Sequence, residues 1–313
     1  MNTIFVIGQI IGIASVSAAL LFVLAKLVSR RCSSHVQDGY GYAVLITGCD
    51  SGFGHQLARV LDDKGFVVFA GCLAPEGAGA HSLAKRSSCN LKILKLDVTS
   101  DKEVQQAKTT VLRNLPDKGL WAVVNNAGIT DWAEIEWSSI EDFKRMIDIN
   151  LFGSIRVTSA FLPLVRAAKG RMVFMSSIFA FFTCLNMGAY SVSKRGLEAF
   201  ADCLRVEMAS FGVKVSIIQP GNFGQATNIL KMKTVWIFGR NLMANSGFKD
   251  ADIVIDAMLH AITSSRPKYR YLLVSTVDMF FFQLFPFLPT ALTDAVFLLS
   301  PMYGTRKALL YSK

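Results

Sequence analysis

The sequence predicts an α/β protein in which a doubly wound parallel sheet carries helices on both faces. Apolar, strand-like segments alternate with helix-like segments from Ala43 onward, which is the order that builds a parallel sheet. Several of these strands end in small or polar residues, such as Gly48 after the first and Asn125 after the fourth. Because right-handed crossovers bring parallel strand ends to one edge, we expect a Rossmann-type fold with its ligand site in the crevice there.

Six strands are expected in this sheet, each a short apolar run bounded by glycine, proline or polar residues. They cover residues 43–47, 66–71, 91–96, 120–124, 172–175 and 213–219. Helices are expected between them, over 55–64, in the polar segment before Leu115, from about Ser139 and from Tyr190. The helix from Ser139 carries Asn150 and Gly153 in its interior, where neither residue is a good helix former, so a distorted helix is one interpretation and tolerated imperfection the other.

A charge-free apolar segment lies at the N-terminus. The 23 residues Thr3–Ala25 would span about 34 Å as a helix, which is enough to cross a bilayer core. The first basic residues follow it, at Lys26, Arg30 and Arg31, and this order favours a cytosol-facing domain. A signal peptide is the alternative, but no basic residue precedes the apolar segment. We expect an uncleaved membrane anchor over 1–32 and a linker over 33–42.

The C-terminal tail, residues 279–313, follows a catalytic domain predicted over 43–278. Its first part, Met279–Leu299, is nearly as apolar as a membrane span, but two prolines and Asp294 interrupt it. We expect a hydrophobic wall that closes the substrate pocket and touches the bilayer; a true span is the alternative. Such a wall would help a lipophilic ligand pass from the membrane to that pocket.

Composition restricts the partners. The net charge of the 313 residues is +10, but the basic residues are scattered and no nucleic-acid motif accompanies them. A positive surface against anionic lipid is the simpler interpretation, with no nucleic-acid partner. The six cysteines form no CxxC pair and have no metal-like spacing with the four histidines. We therefore expect no metal site and a reducing compartment.

A glycine-rich turn follows the first strand. It reads Thr47-Gly48-Cys49-Asp50-Ser51-Gly52-Phe53-Gly54 and leads into a helix, which is the context that a dinucleotide-binding turn needs. Glycines permit a tight turn and let a pyrophosphate rest on the helix N-terminus. The second strand ends in Gly71-Cys72-Leu73 without an acidic residue for the ribose, and the first basic residue after it is Lys85. NAD is favoured modestly, and NADP remains possible.

Tyr190 and Lys194 stand four residues apart at the start of a predicted helix, so both lie on one face. A phenol has an ordinary pKa of about 10, and a nearby ammonium group lowers it. The phenol could then exchange a proton with an alcohol or a carbonyl, while Ser177 holds the substrate oxygen. A tyrosine and a lysine also occur at this spacing by chance on many helices. Their position at the predicted crevice favours a catalytic role over chance.

These motifs together resemble the short-chain dehydrogenase/reductase family over roughly residues 43–224. The resemblance rests on the glycine turn, Asp97, the NNAG sequence at 125–128, Asn150, Ser177, YSVSK at 190–194 and Pro220-Gly221. It implies that Tyr190 is the acid/base, Ser177 fixes the substrate oxygen, Lys194 lowers the tyrosine pKa and holds the nicotinamide ribose, and Asn150 binds a proton-relay water. The cofactor site it implies consists of Thr47, Gly48, Ser51, Gly52, Phe53, Gly54, Asp97, Val98, Asn125, Ala127, Gly128, Tyr190, Lys194, Pro220 and Gly221.

Within that family the chain resembles the branch that holds D-β-hydroxybutyrate, 17β- and 11β-hydroxysteroid and retinol dehydrogenases. The sequence of the core is most similar to that of the hydroxybutyrate enzyme. The N-terminal anchor is more similar to those of the steroid and retinol enzymes of the endoplasmic reticulum. We expect an NAD-dependent alcohol dehydrogenase, a homo-oligomer, at the endoplasmic reticulum, with the mitochondrial membrane as alternative. The substrate lid over 224–253 looks shortened, so a catalytically weak, cofactor-binding family member is the alternative of another class.

Overall fold

The structure is a computed structural model that describes residues 38–182, 185–224, 227, 230–232, 248–275, 279, 282, 284 and 287–298. The predicted N-terminal anchor and most of the predicted lid lie outside these residues. Among the residues that are described, no helix is long and apolar enough to cross a membrane. The fold below is that of one compact unit, Gln37–Thr263 with Pro267–Lys313; of a second unit, Met1–Val36 with Ser264–Arg266, the described residues include only the last three.

A seven-stranded, fully parallel sheet forms the centre, in the order β3-β2-β1-β4-β6-β7-β9. Its strands are β1 (Ala43–Thr47), β2 (Val67–Cys72), β3 (Leu91–Lys95), β4 (Leu120–Asn125), β6 (Arg171–Met175), β7 (Lys214–Pro220) and β9 (Arg270–Leu273). A separate parallel pair joins β5 (Thr130–Trp132) to β8 (Leu230–Met232). From β1 the strand order runs outward to β2 and β3 on one side and to β4, β6, β7 and β9 on the other. The switch point of the sheet therefore lies between β1 and β4, and such sheets bind ligands at that point.

The helices cover both faces of the sheet. They are α1 (Gly52–Asp63), α2 (Ala78–Arg86), α3 (Asp101–Arg113), α4 (Ile140–Ile147), α5 (Gly153–Ala167), α6 (Gly188–Met208), α7 (Asp252–Thr263) and α8 (Thr290–Leu298). On one face, Val44 and Ile46 pack with Leu57 of α1 and Met258 of α7. The opposite face is covered by α3, α5 and α6, with Leu45 and Phe161 among its buried residues. All five residues of β1 are buried, because helices shield both sides of a parallel sheet.

All six predicted strands are present, but the seventh, β9, and the β5–β8 pair were not predicted. The sequence RYLL of β9 is short, begins with a charged residue and follows the last strand that the glycine and proline signals marked. It pairs with β7 through Ile217–Pro220 opposite 270–273, so the strand forms because a distant partner offers its edge. The fold class is confirmed; the predicted anchor is not, since residues 1–32 lie outside the described part.

The helix predicted from Ser139 is interrupted, as its composition suggested. Ser139 caps α4 in a reciprocal capping box with Asp142. Residues Asp148–Phe152 then form a turn of π-helix before α5 begins at Gly153. At Gly153 an added Cβ would lie 2.6 Å from the Val98 side chain, so a side chain there would push the helix away from the sheet edge. Such π segments occur frequently at functional sites.

One described residue of the C-terminal tail, Phe282, packs against the loop that follows β6. The Phe282 ring packs edge-on against Phe181 and Phe182, with centroid separations of 6.3 and 4.9 Å. Phe287 is 84% exposed, and Leu292 of α8 is also exposed. None of the tail residues that the structure describes lines the cavity discussed below. The predicted wall therefore finds no support in these residues, while its contact with a bilayer stays a prediction.

Candidate active site

The glycine turn between β1 and α1 brings the backbone close to the end of β4. Gly48 and Gly52 have φ values of +72° and +63°, which favour glycine. A Cβ on Gly54 would lie 2.5 Å from the Gly48 carbonyl oxygen and 2.6 Å from Nδ2 of Asn126. Ser51, the N-cap of α1, makes no side-chain capping bond. The first amides of α1 are thus available to an anion such as a pyrophosphate.

Thr47 fixes this turn against the end of β4. Its Oγ1 accepts hydrogen bonds from the backbone N–H groups of Asn126, at 3.0 Å, and Ala127, at 2.9 Å. The Asn126 side chain returns a 2.9 Å bond from Nδ2 to the Thr47 carbonyl oxygen. These bonds hold two strand ends together where a ligand would lie between them. Asn126 was not predicted as a site residue, although it belongs to the NNAG sequence.

Two charged side chains meet at the end of β2, where the sequence suggested none. The Asp50 carboxylate accepts 2.9 Å bonds from the backbone N–H groups of Leu73 and Ala74. Lys95, at the end of β3, donates a 2.7 Å bond from Nζ to the Leu73 carbonyl oxygen. The expectation that no charged group lies near this strand end is therefore wrong. It failed because both groups come from other segments, 23 and 22 residues away along the chain.

Asp97, Val98 and Asn125 lie at the ends of β3 and β4. Oδ1 of Asp97 accepts bonds from the backbone N–H and the hydroxyl of Thr99, so this carboxylate shapes the loop that it begins. Asn125 donates a 3.1 Å bond from Nδ2 to Oγ1 of Thr158. Among the described residues, its buried Oδ1 has no hydrogen-bond partner. Asn125 is 2% exposed and does not line the cavity described below, so it lies behind the site and not in its lining.

Asn150 lies within the π turn and is completely buried. Its Oδ1 accepts a 2.8 Å bond from the Ile129 N–H, and Nδ2 donates to the Ile129 carbonyl oxygen at 2.9 Å and to Oγ of Ser193 at 3.0 Å. The carboxamide therefore ties α6 and the π turn to the loop after β4. Its side chain does not line the cavity, and the predicted relay water remains a prediction.

Ser177, Tyr190 and Lys194 converge where β6 ends against α6. Lys194 donates a 2.7 Å bond from Nζ to the Met175 carbonyl oxygen, and Nζ lies 5.6 Å from the centroid of the Tyr190 ring. The Ser177 hydroxyl lies close enough to the Tyr190 phenol to oppose the rise of its pKa, and Ser177 Oγ makes a long, 3.5 Å bond to the Pro220 carbonyl oxygen. The structure thus brings together the three side chains that the sequence pairs in one site.

The pKa values of the pair differ from the expectation. Burial raises the pKa of Tyr190 to about 12, and the hydrogen bond with Ser177 opposes this rise. Burial also lowers the pKa of Lys194 to about 8, opposed by the negative charge of Glu198. The tyrosine pKa is therefore raised, because desolvation of the phenolate outweighs the effect of Ser177.

A cavity of about 450 Å³ joins these groups. The predicted site residues that line it are Gly48, Ser51, Gly52, Phe53, Asp97, Val98, Ala127, Gly128, Ser177, Tyr190, Lys194, Pro220 and Gly221. Four predicted residues do not line it, namely Thr47, Gly54, Asn125 and Asn150, and the first, second and fourth support its walls through the contacts described above. No cluster of metal-ligating side chains occurs in the described ranges of the chain.

The wall beyond Tyr190 is mainly apolar and was not predicted. Ile129, Trp132, Ile149, Phe179 and Met187 line it, and the Phe179 ring meets Tyr190 edge-on with a centroid separation of 6.2 Å. Its polar members include an ion pair, Arg145 of α4 with Asp131 of β5. The two charges offset each other, so this wall presents little net charge to a ligand.

Comparison with known proteins agrees with the geometry. A family profile described as short chain dehydrogenase matches residues 42–236. The mitochondrial D-beta-hydroxybutyrate dehydrogenase of Mus musculus is 38% identical over 299 residues, covering 86% of this chain and 87% of that protein. The 17-beta-hydroxysteroid dehydrogenase type 6 of Homo sapiens is 40% identical and covers 88% and 93%. Retinol dehydrogenase 7 of Mus musculus is 39% identical and covers 85% and 90%.

Solved structures share the architecture. A short-chain dehydrogenase from Streptomyces avermitilis superposes with a TM-score of 0.67 at 25% identity, covering 78% of this chain and 95% of that one. A short chain dehydrogenase from Burkholderia cenocepacia, in complex with NADP, also has a TM-score of 0.67, at 21% identity, covering 85% of this chain and all of that one. The protein belongs to the short-chain dehydrogenase family of oxidoreductases, related to hydroxybutyrate, hydroxysteroid and retinol dehydrogenases.

Proposed function

We propose that this protein is an NAD-dependent dehydrogenase that interconverts a lipophilic secondary or primary alcohol and its carbonyl compound. The observation that carries the proposal is the convergence of Ser177, Tyr190 and Lys194 on one cavity that also contains the glycine turn. A proton-transfer group and a dinucleotide cradle in one crevice are the two components that hydride exchange with an alcohol requires.

The residues present fit a nicotinamide dinucleotide. A side chain at Gly48 would collide with Ala127, and one at Gly54 would collide with the Gly48 carbonyl. Because both positions are glycine, a pyrophosphate could approach the backbone of this turn closely. Gly128 lies beside Asn150 and Lys194; its added Cβ would be 3.1 Å from Oδ1 of Asn150 and 3.5 Å from Nζ of Lys194. The bound cofactor would supply or accept the hydride. Asp97, Val98 and Asn125 would hold its adenine half, and Lys194 its nicotinamide ribose.

NAD rather than NADP is the proposed cofactor because Asp50 lies at the end of β2. Its carboxylate, fixed by Leu73 and Ala74, would accept bonds from ribose hydroxyls and repel a 2′-phosphate. Lys95 partly offsets this charge, so we expect a preference for NAD rather than an absolute choice.

Tyr190 would move the proton at the substrate oxygen. In carbonyl reduction its phenol donates a proton to that oxygen, and in alcohol oxidation the phenolate removes it. Ser177 would hold the same oxygen by a hydrogen bond. Lys194, protonated below its pKa of about 8, would stabilise the phenolate; the cationic nicotinamide of oxidised NAD adds to that stabilisation. Asn150 would keep Ile129 and Ser193 in place and hold the relay water.

The substrate wall favours an uncharged, apolar alcohol of the steroid or retinol kind. Trp132, Phe179 and Met187 offer apolar surface, and burying such surface contributes about 25 cal/mol per Å². The charge of Arg145 is already offset by Asp131, so a small anion gains little there. The 40% identity to a 17-beta-hydroxysteroid dehydrogenase supports the same substrate class.

D-3-hydroxybutyrate is the second candidate substrate. It is supported by the 38% identity to the mouse hydroxybutyrate enzyme and by Arg145, which lines the cavity and could turn from Asp131 to a carboxylate. The two candidates imply different membranes, the endoplasmic reticulum or the mitochondrion. Membrane attachment through residues 1–32, homo-oligomer formation and the shortened lid all remain proposals.

The test is NADH production by full-length protein in membranes, with estradiol, all-trans-retinol and D-3-hydroxybutyrate offered separately. Turnover of a steroid or of retinol is the expected result. Turnover of hydroxybutyrate alone would replace the first candidate by the second. Bound NAD without turnover of any alcohol would favour a catalytically weak, cofactor-binding family member.

A further inference from the structure

Glu198 is a buried carboxylate that has no role in the reaction proposed above. It is 8% exposed and lies on α6, one helical turn beyond Lys194. An unpaired carboxylate would be costly to bury, and Glu198 is densely paired. The identity and location of its partners indicate what it does.

The partners of Glu198 come from three neighbouring strands at the catalytic edge of the sheet. Ser176, directly after β6, donates a 2.7 Å bond from Oγ to Oε1. Gln219 of β7 donates from Nε2 to Oε1 at 2.9 Å and to Oε2 at 3.1 Å. Nη2 of Arg270, on β9, lies 3.5 Å from Oε2. One carboxylate thus ties α6 to β6, β7 and β9.

Three consecutive residues at the end of β6 contact three successive turns of α6. Met175 accepts the Lys194 bond through its carbonyl oxygen, Ser176 binds Glu198, and the Ser177 hydroxyl lies close enough to the Tyr190 phenol to oppose the rise of its pKa. Ser176 is joined through the backbone to Met175, which contacts Lys194, and to Ser177, which lies near Tyr190. Its bond to Glu198 is therefore made between the two residues that meet the candidate catalytic pair. Any change in the separation of Ser176 and α6 would also move Ser177 relative to Tyr190.

Glu198 also acts electrostatically on Lys194. Burial lowers the Lys194 pKa, and the Glu198 charge raises it. The other ionisable groups around this face, among the described residues, are Tyr190, Arg195, Asp202 and Arg205 on α6 and Arg270 on β9. Arg270 is held mainly by Asp202, at 2.6 and 3.2 Å, so Asp202 takes up much of its charge. The carboxylate nearest in sequence to Lys194 on this helix face is Glu198.

We infer that Glu198 is a positioning residue, which holds the end of β6 against α6 and places a negative charge one helical turn from Lys194. The inference rests on the proposed function, because it assigns Glu198 a role through Lys194 and Ser177. It predicts two separable effects: one on geometry, carried by Ser176, and one on the charge of Lys194.

Glu198→Gln tests the charge effect. Glutamine preserves the size and offers a carbonyl oxygen to Ser176 and Gln219, but it removes the negative charge. We expect the Lys194 pKa to fall, so Lys194 loses its proton at lower pH. The alkaline limb of the kcat/KM profile for carbonyl reduction should shift down by the same amount, with near-normal activity well below that limb. A merely structural role would lower activity equally at all pH values.

Lys194 can also be titrated without turnover, by NMR of cofactor-free protein labelled with ε-¹³C-lysine and assigned with Lys194→Arg. Asp202→Asn is the matched control, because it lies one turn further on α6 and shares Arg270 but has no contact with Ser176. It should leave the Lys194 titration unchanged. Equal titration curves for wild type and Glu198→Gln would overturn the charge role.

Glu198→Asp separates the geometric effect from the charge effect. It is also the variant to measure if Glu198→Gln does not fold. It keeps the charge but is too short to hold Ser176 in the same place, so kcat should fall severalfold while the Lys194 titration stays near that of wild type. Unchanged kcat would contradict the geometric role. If wild type transfers no hydride to any alcohol, the proposed function fails, whereas the NMR comparison still decides whether Glu198 controls Lys194.

Discussion

The side chain of Asn150 bonds to both backbone groups of Ile129. Its Oδ1 accepts from the N–H at 2.8 Å, and its Nδ2 donates to the carbonyl oxygen at 2.9 Å. Residue 129 follows the NNAG sequence, and Asn150 lies in the π turn between α4 and α5. The distortion of the helix thus aims a carboxamide at the loop after β4, and this contact fixes one wall of the cavity.

Replacement of Asn150 should destabilise the protein. Asn150→Ala leaves the N–H and carbonyl groups of Ile129 without their partners, and buried unpaired groups cost about 1–3 kcal/mol each. We expect the free energy of unfolding to fall by about 3 kcal/mol, measured by urea denaturation. Asn114→Ala is the control, because the exposed Asn114 side chain bonds to the Thr110 carbonyl oxygen of the adjoining helix, and its loss should cost under about 1 kcal/mol. Similar small losses in both variants would contradict a supporting role for Asn150.

Asp50 should determine the choice between NAD and NADP. Asp50→Asn removes the negative charge beside the end of β2 and keeps an oxygen for one of the two N–H groups, of Leu73 and Ala74, that the carboxylate binds. Since a carboxylate repels a 2′-phosphate, we expect the ratio of kcat/KM for NAD over NADP to fall about tenfold, or roughly 1.4 kcal/mol. Asp63→Asn, at the opposite end of α1, should leave this ratio unchanged. A ratio that is insensitive to Asp50 would disprove its proposed contact with the ribose.

The pH dependence of carbonyl reduction should report Lys194. Burial lowers its pKa to about 8, so the ammonium form is present below that pH and is lost as the pH rises through it. Tyr190, with its pKa raised to about 12, stays a phenol and proton donor throughout this range. The rate should therefore hold through neutral pH and decline above about pH 8. A rate that stays constant up to the ordinary lysine pKa of about 10.4 would contradict the lowered value.

Most of the sheet could be predicted from sequence because its buried strands are local apolar runs with small or polar residues at their ends. Strand β9 escaped prediction because its four residues become a strand only through pairing with β7. Asp50 and Lys95 were missed at the end of β2 for a similar reason. Their targets lie more than twenty residues away, and sequence spacing says nothing about contacts at that range.

The candidate catalytic residues show the same limit of prediction from sequence. The spacing of Tyr190 and Lys194 sufficed to place them on one helix face, because that relationship is local. Their pKa values depend on burial by the rest of the chain, and the sequence led to the wrong direction for Tyr190. Glu198 is on the same helix face, but its importance rests on Ser176, Gln219 and Arg270, which only the folded sheet brings together.

The most direct test of the central proposal compares Tyr190→Phe with wild type in two measurements, hydride transfer from alcohol to NAD and binding of NADH followed by its fluorescence. The phenylalanine ring preserves the packing against Phe179 but removes the hydroxyl. We expect kcat to fall about 10³-fold, the scale of general acid–base catalysis, with NADH still bound. Tyr42→Phe, which changes a tyrosine packed on Trp121 outside the cavity lining, should retain activity. Near-normal turnover by Tyr190→Phe would contradict the proposal that this phenol carries the proton.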